Sequence, residues 1–208
     1  MKSLAILGGS GHGKVIADTA LISGWEDVVF FDDAWPQKTT NSIWKIQGNS
    51  EELLGILNCF DGVIVGIGDA HLRLQKQHAL ATAGAALVSI YHPFAVISSF
   101  ANIGIGSVVF AGAVVNVDVQ IGLGVIVNTG ATVDHDCLLS DGVHIAPGSH
   151  LSGDVFVGDG SWVGVGACVK EGVRIGKNVL VGAGAVVVSD LPDNVTVAGN
   201  PARIIKRD

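Results

Sequence analysis

Charged residues are scarce in this chain of 208 residues, in which Asp, Glu, Lys and Arg together make up 15%. The formal net charge is −7, and an acidic chain of this kind is not expected to bind nucleic acid. Cysteine is scarce too, since only Cys59, Cys137 and Cys168 are present and they are widely spaced. They form neither a disulfide framework nor a metal motif, so the sequence predicts a protein of the reducing cytoplasm.

Long apolar runs are also missing, although 49% of the residues are hydrophobic. Glycine and polar residues interrupt every apolar run well short of the about 18 residues that a membrane-spanning helix needs. The opening segment MKSLAILGGSGHGK has too short an apolar run for a signal peptide and leads into a glycine-rich loop. So much apolar surface excludes a disordered chain and predicts one large or two small folded domains.

Glycine is abundant, with 29 residues, and it accompanies a repeat of six residues that begins at Ile97. Steps of six from Ile97 to Val187 give sixteen consecutive positions, each occupied by Ile, Val or Leu. The residue two positions before each is small or aliphatic, and the turns between are rich in Gly, Asn and Asp. A strict period of six fits no helix and is typical of a parallel β-helix, in which three hexads form one triangular coil. Sixteen hexads predict about five coils.

The residues before the repeat alternate between predicted strands and helices. Apolar stretches at 3–7, 28–31 and 62–67 are predicted to be strands, and helix-like patterns follow at 14–21 and 70–83. This alternation is typical of a small Rossmann-like βαβ unit with a parallel sheet. The predicted organisation is an α/β N-terminal domain, then a parallel β-helix, then a C-terminal cap or tail, with bounds 1–92, 93–190 and 191–208.

A glycine-rich loop, GSGHGK at residues 9–14, lies between the first predicted strand and the first helix. It is not a true G-x-G-x-x-G, because Lys14 stands where the last glycine belongs. Backbone amides at the positive end of a helix dipole nevertheless suit a phosphate. Asp32 and Asp33 close the second strand, where carboxylates can accept hydrogen bonds from a ribose or a base. The alternative is a tight turn beside an ordinary solvated pair of acids.

Three of the seven histidines fall between residues 128 and 150. His135 stands in a predicted turn between Asp134 and Asp136, where a flanking acid can orient the imidazole and raise its basicity. His144 follows half a coil later, so within one chain the two rings cannot readily meet. We therefore expect His135 of one subunit and His144 of its neighbour to line a shared cleft. A solvated surface histidine is the alternative, and it is the favoured interpretation of His150.

Residues 18 apart in a triangular coil are expected to form outward columns on the three faces. At least two of these columns are largely apolar, which predicts oligomerisation and favours a cyclic trimer. Cys137 points into the core in the same register, so we interpret it as a small hydrophobic residue rather than a nucleophile. The three columns are 108/126/144/162/180, 114/132/150/168/186 and 120/138/156/174.

Six segments together resemble the hexapeptide acyltransferases of the sialic acid O-acetyltransferase-like branch: GGSGHGKVIAD, VVFFDDA, VGIGDAHLR, VNTGATVDHDC, DGVHIAPGSHLSG and VAGNPARI. Within this branch, essentially the whole chain is similar to the bacterial UDP-4-amino-sugar N-acetyltransferases of protein glycosylation. The resemblance implies a left-handed β-helix and a homotrimer with active sites between subunits. It implies acetyl transfer from acetyl-CoA to the 4-amine of a UDP-2-acetamido-4-amino-2,4,6-trideoxyhexose, as in UDP-N,N'-diacetylbacillosamine synthesis. It also implies that the protein lies in the cytoplasm, either fused to a membrane glycosyl-phosphate transferase or working beside one.

The resemblance further implies a role for individual residues and no metal. His135 is the implied general base, Asp136 the acid that supports it, and Asn128 a neighbour of the acceptor amine. The family often has Asn where this chain has Asp69, and a longer Glu where it has Asp136. The implied UDP-sugar contacts are Ser10, Gly11, His12, Asp32, Asp33 and Gly68, and the implied acetyl-CoA contacts are His144, Val165 and Ala183.

These roles imply direct transfer, in which His135 takes a proton as the amine attacks the thioester carbonyl. Backbone amides or His144 would steady the oxyanion. One alternative keeps the fold and O-acetylates a sialic acid or another sugar. A second is a zinc-dependent carbonic anhydrase of the gamma type, although the spacing 135–144–150 does not resemble that pattern. A third is a non-enzymatic scaffold or surface binder, which predicts polar outer columns without interrupting histidines.

Overall fold

The computed structural model describes residues 2–207, and its contacts divide the chain into two compact units, Met1–Pro93 and Phe94–Asp208. The sequence predicts this boundary one residue earlier, between residues 92 and 93. Residues 191–208, predicted as a separate cap or tail, fall in the second unit. No helix within residues 2–207 combines the length and the apolar character that a membrane span requires.

The first unit alternates strands and helices, as the sequence predicts. Its elements are β1 (Ser3–Leu7), α1 (Gly11–Ile22), β2 (Asp27–Phe31), β3 (Thr40–Asn41), β4 (Trp44–Gly48), α2 (Ser50–Gly55), a 3-10 helix (Leu57–Cys59), β5 (Gly62–Val65), α3 (Ala70–Thr82) and β6 (Ile90–Tyr91). One sheet has the order β3-β4-β2-β1-β5, in which β4, β2, β1 and β5 are parallel and β3 is antiparallel at the edge. The central strands are apolar and buried because helices cover parallel sheets on both faces.

The passage from β1 into α1 depends on three glycines that let backbone segments approach closely. Gly8 has a φ of +119°, which side chains rarely adopt, and a Cβ there would lie 2.7 Å from Cγ1 of Ile67. A Cβ on Gly13 would collide with the Gly8 carbonyl oxygen, and one on Gly66 would lie 2.9 Å from Cα of Gly13. The ends of β1 and β5 and the start of α1 are thereby brought together.

The second unit consists of short strands that recur every six residues. They are β7 (Val96–Ile97), β8 (Asn102–Ile103), β9 (Val108–Val109), β10 (Val114–Val115), β11 (Gln120–Ile121), β12 (Ile126–Val127), β13 (Thr132–Val133), β14 (Leu138–Leu139), β15 (His144–Ile145), β16 (His150–Leu151), β17 (Phe156–Val157), β18 (Trp162–Val163), β19 (Cys168–Val169), β20 (Arg174–Ile175), β21 (Leu180–Val181) and β22 (Val186–Val187), followed by β23 (Val195–Ala198) and β24 (Arg203–Arg207).

These strands form three parallel sheets, in which each strand from β7 to β19 pairs with the one 18 residues further along the chain. The first sheet runs β7-β10-β13-β16-β19-β22, the second β8-β11-β14-β17-β20, and the third β9-β12-β15-β18-β21-β23 with β24 antiparallel at its end. Every hexad position from Val109 to Val187 is buried. The predicted parallel β-helix is therefore confirmed, and its aliphatic ladder is the core.

The turns repeat with the same period as the strands. Every sixth residue from Gly106 to Gly184 has a positive φ, and the residues there are ten glycines, three aspartates and Asn178. The left-handed conformation suits Gly and tolerates Asn and Asp, because a short polar side chain can bond locally. Asp136, with a φ of 61°, occupies one of these turn positions.

The three predicted columns are present, since strand pairing brings together residues such as Ile126, His144 and Trp162. The first column is not exposed along its whole length. Val108, Ile126 and His144 are only 2%, 1% and 7% exposed, whereas Trp162 is 39% exposed. Periodicity reveals which way a residue points from its own coil, but it carries no information about what packs against that face from outside.

Candidate active site

His135 and Asp136 lie side by side in the turn between β13 and β14. Nδ1 of His135 is 2.7 Å from Oδ2 of Asp136. A carboxylate only accepts, so Nδ1 carries a proton and Nε2 is the basic nitrogen of the neutral ring. The hydrogen bond to Asp136 raises the pKa of His135, and the charges of Asp134 and Asp154 act in the same direction. The imidazole is 55% exposed and is therefore accessible to a substrate.

Asp134 stabilises the same turn from the other side of His135. Its Oδ1 accepts a hydrogen bond from the backbone N–H of His135 at 2.8 Å and another from Nδ2 of Asn116 at 2.7 Å. The bond from His135 and, to a smaller extent, the bond from Asn116 lower the pKa of Asp134. Asp134 therefore stays negatively charged near neutral pH and favours a protonated imidazole beside it.

Asn128 and His144 meet at the third sheet, where Asn128 follows β12 and His144 begins β15. Oδ1 of Asn128 accepts from the backbone N–H of Thr129 at 2.8 Å, which directs its amide nitrogen to Nε2 of His144 at 3.1 Å. An amide nitrogen only donates, so Nε2 of His144 accepts and the ring is neutral. The ring is 7% exposed and stacks on Trp162, with 4.2 Å between ring centroids.

The predicted acetyl-CoA contacts share one edge of the β-helix. Val165 and Ala183 stand one coil apart in the turns that follow the third sheet, and both are exposed. The backbone N–H of Gly184 donates to the carbonyl oxygen of Val165 at 2.8 Å, which joins the two turns. Asn128 and His144 belong to the same sheet, so four predicted site residues line one face and its edge.

The structure does not bring His135 together with His144 within one chain. His135 lies at the corner between the first and second sheets, whereas His144 lies on the third sheet, opposite that corner. His150 lies on the first sheet, where it is exposed and its Nδ1 is 3.0 Å from Oγ1 of Thr132. In the part of the chain from residue 2 to residue 207, no three His, Cys, Asp or Glu side chains are grouped closely enough to hold a metal ion.

A cavity of about 230 Å³ opens in the first unit at the carboxyl ends of β1, β2 and β5. The chain passes from β1 to β2 on one side of β1 and, after β4, returns to β5 on the other side. Parallel sheets bind ligands at such a reversal of strand order. Gly11 and His12 begin α1, and Gly68 follows Ile67 after β5. The cavity is lined by Leu7, Gly8, Ser10, Asp32, Asp33, Ile67, Leu72 and Lys76, which include three of the predicted contacts.

Asp32 fixes the glycine-rich loop. Its Oδ2 accepts from the backbone N–H of Gly9 at 2.7 Å, and its Oδ1 accepts from that of Ala34 at 2.9 Å. Lys38 completes the arrangement, because its Nζ donates to the Gly9 carbonyl and lies 3.9 Å from Oδ2 of Asp32. Both oxygens of this carboxylate therefore hold backbone in place, a positioning role that the sequence did not reveal.

Asp33 joins the end of β2 to α2 and α3. Nζ of Lys76 is 2.5 Å from Oδ2 of Asp33 and 2.9 Å from Oγ of Ser50, whose backbone N–H donates to Oδ1 of Asp33 at 2.9 Å. Partial burial raises the pKa of Asp33, but the bonds with Lys76 and Ser50 outweigh it and lower the pKa. Lys76 thus brings a positive charge to the cavity wall, where it is paired with the carboxylate of Asp33.

Arg73 is a site residue that the sequence did not reveal. It lies on α3, is 1% exposed, and donates to the carbonyl oxygens of Ile67 at 3.0 Å and Gly68 at 2.7 Å. Burial lowers its pKa to about 10, so it remains charged at neutral pH. Asp69 caps α3 by accepting from the backbone N–H of Leu72 at 2.8 Å. An arginine inside a polar helix gives no signal of burial in the sequence, since arginine is mostly exposed.

Two protein families match this chain, one in each of its two units. Residues 3–80 match the PglD N-terminal domain, and residues 154–189 match the bacterial transferase hexapeptide family of six repeats. The fold and the two matches define a hexapeptide-repeat transferase with a PglD-type N-terminal domain, and its β-helix is left-handed.

Two solved structures match nearly the whole chain. The acetyltransferase domain of PglB from Neisseria gonorrhoeae FA1090, in complex with acetyl coenzyme A, is 42% identical, with 98% of this chain and 99% of that chain covered and a TM-score of 0.94. A variant of perosamine N-acetyltransferase from Caulobacter crescentus, in complex with CoA and GDP-perosamine, is 38% identical, with 100% of this chain and 98% of that chain covered and a TM-score of 0.92.

A curated relative matches part of the chain. UDP-N-acetylbacillosamine N-acetyltransferase of Bacillus subtilis (strain 168) is 38% identical over 116 residues, which cover 53% of this chain and 52% of that relative. The chain thus spans about half the length of this curated relative. Taken with the two matches over nearly its whole length, the chain belongs to the family of hexapeptide-repeat acetyltransferases that have a PglD-type N-terminal domain.

Proposed function

We propose that the protein transfers the acetyl group of acetyl-CoA to the amine of a nucleotide-linked amino sugar. The observation that carries this proposal is the exposed imidazole of His135, held at Nδ1 by Asp136, on a fold that two solved structures share over nearly the whole chain, one in complex with acetyl coenzyme A and one with CoA. The preferred acceptor is the 4-amine of a UDP-2-acetamido-4-amino-2,4,6-trideoxyhexose, because the Bacillus relative is a UDP-N-acetylbacillosamine N-acetyltransferase. The second candidate is a GDP-linked amino sugar, as in the Caulobacter complex.

His135 acts as the general base in the proposed reaction. As the sugar nitrogen attacks the thioester carbonyl, its proton passes to Nε2 of His135, while Asp136 holds the Nδ1 proton and stabilises the imidazolium. The tetrahedral intermediate then expels the CoA thiolate, which takes a proton from His135. No acyl-enzyme forms, since both substrates are held together. Nε2 of His144 already accepts from Asn128, which favours backbone amides as donors to the oxyanion.

We propose that two subunits form each active site in a homotrimer. His135 and Asp136 come from one subunit, and the edge formed by His144, Val165 and Ala183 comes from its neighbour. Two observations support this arrangement. The two groups lie on different sides of one β-helix, and the third sheet still exposes Trp162 and Leu180 (39% and 45%). Burial of such apolar side chains stabilises subunit association.

The nucleotide is proposed to bind in the cavity of the first unit. The N-terminus of α1 directs backbone amides to the phosphates, with Ser10, Gly11 and His12 at its start. Asp33 and the Gly68 segment take the ribose or base, and Lys76 supplies charge. We further propose that the reaction takes place in the cytoplasm, and that a membrane glycosyl-phosphate transferase, fused or separate, uses the product.

Incubation with acetyl-CoA and a panel of sugars tests the proposed function. The panel contains UDP- and GDP-linked amino sugars, the matching sugars with a hydroxyl in place of the amine, and free sialic acid. We expect CoA release and a product that gains one acetyl group only with an amino sugar. Acetylation of the hydroxyl sugars instead would establish an O-acetyltransferase, and no CoA release with any sugar would exclude acetyl transfer to these substrates.

Substitution of His135 tests the mechanism. We expect His135→Ala to lower kcat by about 10²–10⁴-fold while the fold is retained, because the base is lost from an exposed turn. His150→Ala is the matched control, since His150 is an exposed histidine on the first sheet that has no part in the proposed mechanism. Near-normal turnover by His135→Ala would remove His135 from the mechanism.

A further inference from the structure

The imidazole of His135 covers Gly153, which stands one coil further along the same corner of the β-helix. The two turns stack directly, since the backbone N–H of Asp154 donates to the carbonyl oxygen of His135 at 2.9 Å. A Cβ on Gly153 would lie 2.5 Å from Cε1 and 2.6 Å from Nε2 of the ring, closer than any real carbon contact. The ring therefore occupies the space that a side chain at position 153 would take.

The backbone at position 153 does not itself require glycine. Gly153 does not have a positive φ. At this corner of the β-helix the positive φ belongs to the next residue of each turn, such as Asp136 or Asp154. The equivalent residues of the other coils carry side chains that are exposed, and Gly153 alone is buried. These equivalent residues are Ser99, Val117, His135 and Glu171. The ring of His135, rather than the shape of the turn, accounts for glycine here.

We propose that Gly153 is a positioning residue for the general base, because only a residue without Cβ lets the imidazole lie against the backbone while Nδ1 bonds Asp136. The inference rests on the proposed function of His135. Gly153 does not touch the reacting atoms. It acts through His135, because the position of the ring against Gly153 sets the direction of Nε2. The ring is held on two sides, by the carboxylate of Asp136 at 2.7 Å and by the backbone of Gly153.

Gly153→Ala is expected to displace the His135 ring while the fold is retained. The added methyl group must push the imidazole aside, because the ring is the movable partner and the backbone is held in the stack. Four equivalent turns already accommodate side chains, so the variant should fold. We expect kcat to fall roughly 10²-fold, as displacements of about 1 Å in an active site do. The KM for acetyl-CoA should change less than about twofold, because ground-state binding is untouched.

A titration of His135 by NMR tests the positioning role separately from catalysis. The bond to Asp136 is the main cause of the raised pKa of His135, so its loss in Gly153→Ala should bring the pKa down toward the ordinary value. The His135 signal is assigned by its disappearance in His135→Gln. Glu171→Ala is the matched control, since it changes the equivalent turn one coil further on and should leave the His135 titration and kcat unaltered.

The outcomes separate this inference from the proposed function. A lowered pKa with a lowered kcat supports both, and a lowered pKa with unaltered kcat supports the positioning role while removing His135 as the base. An unaltered pKa in Gly153→Ala overturns the positioning role, whatever the rate. In the His135→Ala background, Gly153→Ala should change the residual rate less than about twofold, because no ring remains to displace. Gly153→Ser serves as a second variant, since Ser99 already occupies an equivalent turn.

Discussion

Asp136 meets two requirements at one position. Its φ of 61° belongs to the series of left-handed turn residues that recurs every six residues, where Asp118 and Asp154 stand in the neighbouring coils. Its carboxylate also bonds Nδ1 of His135 at 2.7 Å. A Glu at this position would suffer more strain, because the left-handed conformation favours Gly, Asn and Asp. The shorter acid thus suits the turn as well as the imidazole.

Asp136→Asn should move the pH dependence of the reaction to lower pH. The base acts in its neutral form, so kcat/KM rises with pH through the pKa of His135. That pKa is raised by Asp136, and a neutral amide cannot support the imidazolium, so the pKa and the acidic limb of the profile should both fall. The plateau rate should drop about tenfold or more, because a weaker base transfers the proton less effectively.

Profiles of kcat/KM between pH 5 and 9 measure this shift (roughly the range in which histidine titrates). Asn keeps the left-handed turn, so the fold is preserved. Asp118→Asn makes the same change at the equivalent turn one coil earlier and should leave the profile where it is. An Asp136→Asn profile with an unmoved acidic limb would contradict the role of Asp136.

Cys137 should remain unreactive in the folded protein. It is 0% exposed, and burial raises the pKa of its thiol to about 11. At pH 8 almost no thiolate is present, and the thiolate is the reactive form. Mass spectrometry after iodoacetamide treatment should find Cys59 and Cys168 modified, since both are exposed, and Cys137 modified only after denaturation. Rapid native alkylation of Cys137 would contradict its interpretation as a core residue.

At the scale of elements, the β-helix was predictable and the details of the first unit were not. The register of the hexads follows from local sequence alone, because each aliphatic residue at a sixth position must enter the same core. The contacts of Arg73 and Lys76 link α3 to segments before it, and a helix pattern carries no information about such partners. The sequence located Asp32 and Asp33 at the end of a strand, but it did not reveal that Lys38 and Lys76 lie beside these carboxylates.

Arg73→Met should loosen the loop that follows β5. The guanidinium bonds the carbonyl oxygens of Ile67 and Gly68, and Met fills the space without donating to either. Leaving two buried acceptors without their donor should cost on the order of 2–5 kcal/mol in the free energy of unfolding of the first unit. The KM for the nucleotide sugar should rise, whereas the KM for acetyl-CoA should not.

Urea unfolding and steady-state kinetics test the Arg73 variant together. Arg174→Met is the matched control, because Arg174 is an exposed arginine of the second unit that stacks on Phe156 at 4.6 Å. Wild-type stability of Arg73→Met would show that the loop is held by other contacts. An equal rise in both KM values would show that the loss is general rather than confined to the nucleotide cavity.

For the whole molecule, sequence periodicity located the outer faces but not their burial. Stacking placed Val108, Ile126 and His144 in one outward column, as strand pairing confirms, yet all three are buried within the chain. Only the later part of that face, at Trp162 and Leu180, is exposed enough to meet another copy. The surface proposed for subunit contact is therefore smaller than the column pattern alone predicts, and it lies next to the edge formed by Val165 and Ala183.

Mixing two inactive variants tests whether neighbouring subunits share a site. His135→Ala removes the base, and Ala183→Trp blocks the exposed edge proposed for acetyl-CoA. If each site takes its base from one subunit and its edge from the next, every mixed trimer contains one intact site. Random mixing of equal amounts then restores about a quarter of all sites.

The mixed sample must be unfolded and refolded together, or co-expressed, so that subunits exchange. Each variant refolded alone is the control and should stay inactive, and light scattering should report three chains per particle. Complementation is expected because the two altered residues lie on different sides of one β-helix. His135 lies at the corner between the first two sheets, and Ala183 follows the third sheet. If each site were built within one chain, every chain in the mixture would still carry one of the two defects, and no site would be active. Mixed trimers that are confirmed to form but show no activity would therefore exclude the shared site.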